Sequence, residues 1–175
     1  MDCTRKLTLD IVGVRSIEHA SYIDDAGIDA CLRHGTWIVP TFTIGEHFSE
    51  KSSPDGPQDR FLEIHNRTKE RFYNSIRKAV RLGVKVALGS DYCGWEPSSI
   101  TAREFRYLVE LGGMTPIQAI CAGTSSAADL LGISNIGRIQ VNSCADIVVV
   151  GGDPLNDIAL LETSVNLVMK NGLIV

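Results

Sequence analysis

His19 and Asp91 are the residues whose type and placement first suggest chemistry in this chain. His19 closes a strand-like stretch over residues 14–19, and Asp91 follows a short apolar stretch over residues 84–89 and Ser90. In parallel α/β folds, side chains just past the C-terminal ends of strands are the ones that meet ligands. Neutral imidazole and carboxylate are both donors that a Zn²⁺-type ion accepts. The same spacing also suits a hydrogen-bonded strand-end histidine and an aspartate that only caps a turn. Glu18 precedes His19 directly, so in a regular strand the two point to opposite faces and would not reach one metal together.

The other candidates are weaker. His34 falls in the last turn of a helix, where a partly cationic imidazole complements the helix dipole. His65 lies inside a long helix beside the core position Ile64. Glu46 and His47 stand together in a loop-like stretch and are solvated there unless a substrate reaches them. Tyr92 and Trp95 either wall a pocket beside Asp91 or pack their own loop. Cys93 has no histidine spaced to activate it, and no G-x-S-x-G, H-x-H or H-E-x-x-H motif occurs. Gly89-Ser90-Asp91 matches no phosphate-cradling loop, and Gly151-Gly152-Asp153-Pro154 reads as a turn.

These residues are positioned by alternating strand-like and helix-like segments, the pattern of parallel βα units. Residues 24–34 predict a helix with acidic residues in its first turn and Gly35 as its stop. Residues 37–40 read as a strand with Pro40 at its end. Residues 43–59, with Ser52, Ser53, Pro54, Gly56 and Pro57, read as a long loop. Phe61, Ile64, Phe72, Ile76, Ala79 and Val80 recur at helical spacing over residues 60–82, with Gly83 as the stop, and residues 84–89 form the next strand. After a loop holding Tyr92, Cys93, Gly94, Trp95 and Pro97, a helix runs to Gly112-Gly113. Thr115, Pro116 and Gln118 set up a capping box for the following helix. Thr124 is expected to cap one more, through Ala127, Ala128 and Leu131. Beyond Gly132 the chain turns β-branched and Gly-rich, with strands over 145–150, 165–170 and 173–175, the last two joined by the hairpin pair Asn171-Gly172.

With 175 residues, 44% apolar and 22% charged, the chain can bury a sizeable core as one domain or slightly more. It is too short for a closed barrel, which takes about 250 residues. Seventeen Lys and Arg against 21 Asp and Glu give a net charge of −4, so neither nucleic acid nor a membrane is an expected partner. Cys3, Cys31, Cys93, Cys121 and Cys144 are odd in number and hold no C-x-x-C pair, which argues against a disulfide framework. Asp10 interrupts the apolar stretch near the N-terminus, and no run approaches the roughly 18 residues of a spanning helix. A reducing, cytoplasmic setting is the expectation.

The ordered motifs resemble a known family. Ser16-Ile17-Glu18-His19, residues 35–41 (GTWIVPT), residues 83–91 (GVKVALGSD), residues 115–120 (TPIQAI) and residues 145–150 (ADIVVV) together look like the C-terminal half of the amidohydrolase superfamily, especially its imidazolonepropionase-like and prolidase-like branch. The resemblance implies an α/β fold: the last three βα units of a partial (β/α)8 TIM-type barrel over residues 12–132, and the C-terminal strands of a small β-sandwich over residues 133–175. Residues 1–11 stay unassigned.

It also implies one or two divalent metals, zinc first, and hydrolysis of amide or peptide C–N bonds in a small amide or dipeptide substrate. His19 maps to the metal-binding histidine of the sixth barrel strand. Asp91 maps to the aspartate of the eighth, a metal ligand that is also the catalytic acid/base. The family's first-strand H-x-H, fourth-strand carboxylated lysine and fifth-strand histidine would all precede residue 12. His19 and Asp91 alone are fewer than the three or more protein ligands of a catalytic zinc site. The chain is therefore expected to be inactive by itself and to need a complementary N-terminal half or self-association. The alternative is a non-catalytic family member that serves as an interaction module or has no function.

Overall fold

The computed structural model describes residues 13–51, 59–91 and 98–175. The expected loop around Tyr92, Cys93, Trp95 and Pro97, and residues 1–11, lie outside them.

Two short parallel strands, β1 (Ser16–Glu18) and β2 (Trp37–Val39), pair in the register Ser16 to Trp37, Ile17 to Ile38 and Glu18 to Val39. The crossover between them is helix α1 (Asp25–His34). The Asp24 carboxylate accepts from Gly27 N at 2.8 Å to cap its start, and Gly35 closes its end. The expected third strand is present only as a single parallel bridge between Val86 and Ile38, held by Ile38 N to Lys85 O and Ala87 N to Ile38 O. Residues 84–88 thus lie beside β2 without extending the ladder. The three segments form one side of a parallel sheet and close no barrel.

Residues 43–59 are not one long loop. Helix α2 (Phe42–Lys51) begins directly after β2, and residues 52–58 lie outside the described part. Ser52, Ser53, Pro54, Gly56 and Pro57 all fall after position 51, while the preceding residues include Gly45 and the β-branched Thr43 and Ile44, which are weak helix formers. Packing decides the matter: Phe42 is buried against Phe72 and Tyr73, with ring centroids 5.1 and 5.7 Å away. Tertiary contacts of this kind override weak local preference.

Helix α3 (Asp59–Arg81) matches its periodicity, placing Phe72, Tyr73, Ile76 and Ala79 in the core. A 3₁₀ turn over Ser98–Ala102 leads into α4 (Arg103–Glu110), which adds Tyr107 and Leu108. In α5 (Pro116–Ala122) the capping box of Thr115 and Gln118 forms as expected. Helix α6 (Ser125–Leu131) follows Thr124, but the Thr124 hydroxyl donates back to Ile120 O at 2.7 Å instead of capping α6. A threonine one turn beyond a helix carbonyl has that acceptor within reach, and it wins over the cap.

The rest is an antiparallel sheet in the order β3-β4-β5, from β3 (Ile147–Val150), β4 (Val165–Lys170) and β5 (Leu173–Ile174), with a one-turn helix α7 (Leu160–Thr163) before β4. Asn171 and Gly172 take φ of 50° and 81°, the left-handed pair that a two-residue hairpin needs. Asp153 organises the expected turn by accepting from Leu155 N at 2.9 Å. Among the described residues, no helix is long and apolar enough to cross a membrane.

Candidate functional site

Three chain segments end in the same way at the same edge of the parallel sheet. His19 after β1, Thr41 after β2 and Asp91 after residues 84–90 have φ of 63°, 56° and 51°. Left-handed conformations are uncommon for residues other than glycine, and for a β-branched threonine they are outliers. Each costs about 1–3 kcal/mol and persists where the surrounding structure fixes it, most often at functional sites.

The structure brings the two candidates together: His19 Nε2 stands 3.9 Å from Asp91 Oδ2, and both side chains are about half exposed, at 51% and 55%. The other ring nitrogen, His19 Nδ1, lies 2.6 Å from Thr41 Oγ1. That hydroxyl donates to Pro40 O at 2.7 Å, a carbonyl that can only accept. Its single proton is therefore used, and Thr41 accepts from His19 Nδ1–H. In the neutral ring the lone pair is then on Nε2, facing Asp91. Holding one imidazole nitrogen so that the other is presented is how proteins orient a metal-binding histidine.

This donor set fits part of a metal site. Zinc binds His nitrogen and Asp oxygen at about 2.0–2.2 Å in tetrahedral geometry, which sets two such donors about 3.4 Å apart. At 3.9 Å the pair is about half an ångström wider, a gap that a small turn of either half-exposed side chain closes. Among the described residues, however, no group of three or more His, Cys, Asp or Glu side chains gathers to hold an ion. Glu18 stays out of the pair, accepting from Ser16 Oγ at 2.7 Å.

The pair opens into a cleft of about 480 Å³ between the strand ends, α2 and α3. Ile44, Phe48, Ile64 and Phe72 supply an apolar wall, and Lys69 is the one lysine or arginine among the described lining residues. His65 also lines this cleft, its Nε2 3.2 Å from Glu46 Oε1, while the Tyr73 hydroxyl donates to the same carboxylate oxygen. The His65 hydrogen bond holds the Glu46 carboxyl below its usual range against the opposing effect of burial, with Tyr73 assisting. Burial and Glu46 push the Tyr73 phenol up. Glu46 and His47 are thus not solvated loop residues: both sit on α2, and Glu46 is part of a half-buried network. His34 ends α1, away from this cleft.

Two residues of the site escaped the sequence reading. Thr41 follows a strand end, the placement that singled out His19 and Asp91, and the same rule would have found it. Glu104 is completely buried on α4 and accepts from the first turn of α2. An acidic residue in a helix's first turn reads as surface charge, so no signal in the sequence marks it.

Residues 12–175 match the amidohydrolase family. The chain belongs to that family. Curated relatives of this amidohydrolase chain include the ochratoxinase of Aspergillus niger, 29% identical over 86% of the chain and 31% of the relative. Another is the imidazolonepropionase of Symbiobacterium thermophilum, 34% identical over 79% of the chain and 28% of the relative. A solved Xaa-Pro dipeptidase, with methionine bound in its active site, superposes with a TM-score of 0.85 at 35% identity, covering 98% of this chain and 42% of the dipeptidase. The amidohydrolase chain therefore spans about a third of the curated relatives it matches. Its α/β fold corresponds to part of the structures of this generally metal-dependent family.

Proposed function

We propose that this chain forms the C-terminal portion of a metal-dependent hydrolase of amide or peptide C–N bonds, contributing the last three βα units of a (β/α)8 barrel and the C-terminal strands of a β-sandwich. The observation that carries the reading is the His19–Asp91 pair, 3.9 Å apart at the strand ends, with the ring locked by Thr41. His19 Nε2 and Asp91 Oδ2 are the two donors this chain offers to a divalent ion, zinc first. When bound, such an ion supplies Lewis acidity toward water and the scissile carbonyl.

The chain's own residues do the rest. Asp91 takes the proton of the attacking water at a carboxylate oxygen and returns it to the leaving nitrogen. The apolar wall of Ile44, Phe48, Ile64 and Phe72 holds the substrate's side chain and keeps solvent from the reacting bond. Lys69 offers a cation to an acidic group on a small amide, a dipeptide or an N-acyl amino acid. The relatives named for dipeptide and imidazolone-type substrates support this class of bond.

The remaining ligands come from a complementary N-terminal half or from self-association. Ile139, Val141, Leu173 and Ile174 are more than two-thirds exposed and supply apolar surface for such contacts. The second reading, a non-catalytic interaction module, is favoured by the lack of a three-ligand cluster among the described residues. Metal analysis of the purified chain, with its mass read on the same sizing column, separates the two. About one tightly held zinc per chain in a defined oligomer supports the hydrolase and calls for a screen of amide substrates. A metal-free, stable monomer that stays metal-free when the N-terminal half of a family member is added overturns it.

A further inference from the structure

Glu104 is wholly buried, yet it is a carboxylate, and burying a charge is tolerated only when hydrogen bonds compensate. Its compensation is concentrated on one short stretch of chain. Oε1 accepts from Phe42 N at 3.0 Å, and Oε2 accepts from Thr43 N at 2.7 Å and Thr43 Oγ1 at 2.6 Å. The two N–H groups are at the start of α2, where they have no partner within the helix. They are also the two residues that follow Thr41.

Thr41 is the residue that needs outside support. Its left-handed backbone, φ 56°, is not one a threonine keeps unaided. In that conformation its hydroxyl lies between Pro40 O and His19 Nδ1. Upstream, the Pro40 ring fixes its own φ. Downstream, the Glu104 carboxylate grips the next two residues.

We propose that Glu104 is a positioning residue for His19: by clamping Phe42 and Thr43 it holds Thr41 in its left-handed turn, and so keeps the proton of the His19 ring on Nδ1 and the lone pair on Nε2. The functional consequence rests on the reading of His19 as a metal donor. The clamp itself does not, because the tautomer of a ring can be read without metal or substrate.

The test uses the full chain labelled with ¹⁵N at histidine, at a pH where the rings are neutral, and follows the His19 nitrogens by long-range ¹H–¹⁵N correlation. In the parent protein the two His19 nitrogens should show the separated shifts of a fixed Nδ1–H tautomer. Glu104→Gln preserves volume but sets an amide NH₂ against one of the N–H groups it must accept from. The His19 shifts should then converge by half or more of their separation, while His34 on α1 stays as it was. Thr41→Val should produce the same convergence. A folded Glu104→Gln with unchanged His19 shifts overturns the proposal. If Glu104→Gln does not fold, Thr43→Val removes one of the three donors, and it should move the shifts in the same direction by a smaller amount; no movement overturns the proposal equally. A fixed tautomer in a chain that binds no metal, alone or with a complementary N-terminal half, would leave the clamp standing and remove the hydrolase reading.

Discussion

Arg106 and Glu162 join the helical part of the chain to the β3-β4-β5 part. Arg106 Nε donates to Glu162 Oε1 at 2.7 Å across 56 residues of sequence, and Arg103 Nε lies 3.8 Å from the other carboxylate oxygen. Glu162 is only 15% exposed, so the contact is screened less than a surface pair. The same Glu162 hydrogen bond pushes the Arg106 guanidinium up.

A double-mutant cycle with Arg106→Ala and Glu162→Ala should give a coupling energy of about 1 kcal/mol, the upper end of what partly exposed pairs show. Chemical denaturation measures it. Fully additive single losses would mean that the two parts are held together by other contacts.

Gly45 sets two effects against each other. Replacing a helical glycine by alanine normally gains about 1 kcal/mol. Here the new Cβ would stand 2.7 Å from His65 Cε1 and 3.0 Å from Nδ1, closer than such atoms approach. Overpacking of that kind costs about 1–3 kcal/mol. Gly45→Ala should therefore lose about 1 kcal/mol net in urea denaturation, and displace His65 from Glu46. A variant more stable than the parent would show that the ring moves freely.

Glu104 and Glu46 predict opposite pH responses. Burial pushes the Glu104 carboxyl up to about 7, against the hydrogen bonds from Thr43 and Phe42. An unfolded glutamate titrates near about 4.3. Between those values the native chain binds more protons than the unfolded one, so this residue makes stability fall as pH rises through the window, and it has no further effect above it. Glu46, held below its usual range, contributes stability that is present above about 4.3 and lost as pH falls through its folded value. The stability of Glu104→Gln relative to the parent should rise from pH 4.3 to about 7 and then level off. Parallel stability curves would show that burial does not dominate at Glu104.

Thr41→Val keeps the shape of the side chain and removes the oxygen that accepts from His19 Nδ1–H. Loss of such a supporting group typically costs about 10–100-fold in metal affinity. Competition with a chromophoric zinc chelator reads the change, provided the parent chain binds the ion. An unchanged affinity would show that His19 does not depend on Thr41 for its orientation.

The legible parts of this fold were those whose signals are local. Gly35, Thr115 with Gln118, and Asn171 with Gly172 all fold as their types dictate, because a stop, a cap or a tight turn is decided within a few residues; Asp24, expected in the first turn of its helix, caps it instead. Helix α2 was not legible, since Phe42 and Gly45 are fixed by what lies across from them on α3. The third strand looked like a full strand because Val84 and Val86 are β-branched and buried, but pairing depends on a neighbour, and β2 is only three residues long. In the site, the strand-end rule selected His19 and Asp91, and the structure sets them side by side. Their supports were hidden, because nothing in an E-F-R sequence says that a glutamate turns inward to hold a helix start 61 residues away.

The three left-handed residues at the strand ends also bear on how this protein would respond to directed evolution. Glycine or asparagine at His19, Thr41 or Asp91 would relieve backbone strain at once, so a library sorted only for heat resistance should be drawn to these positions. Under the proposed function its winners would be sturdier and chemically mute. Robustness and reactivity would then compete for the same few peptide units, and a useful selection must score both in the same round.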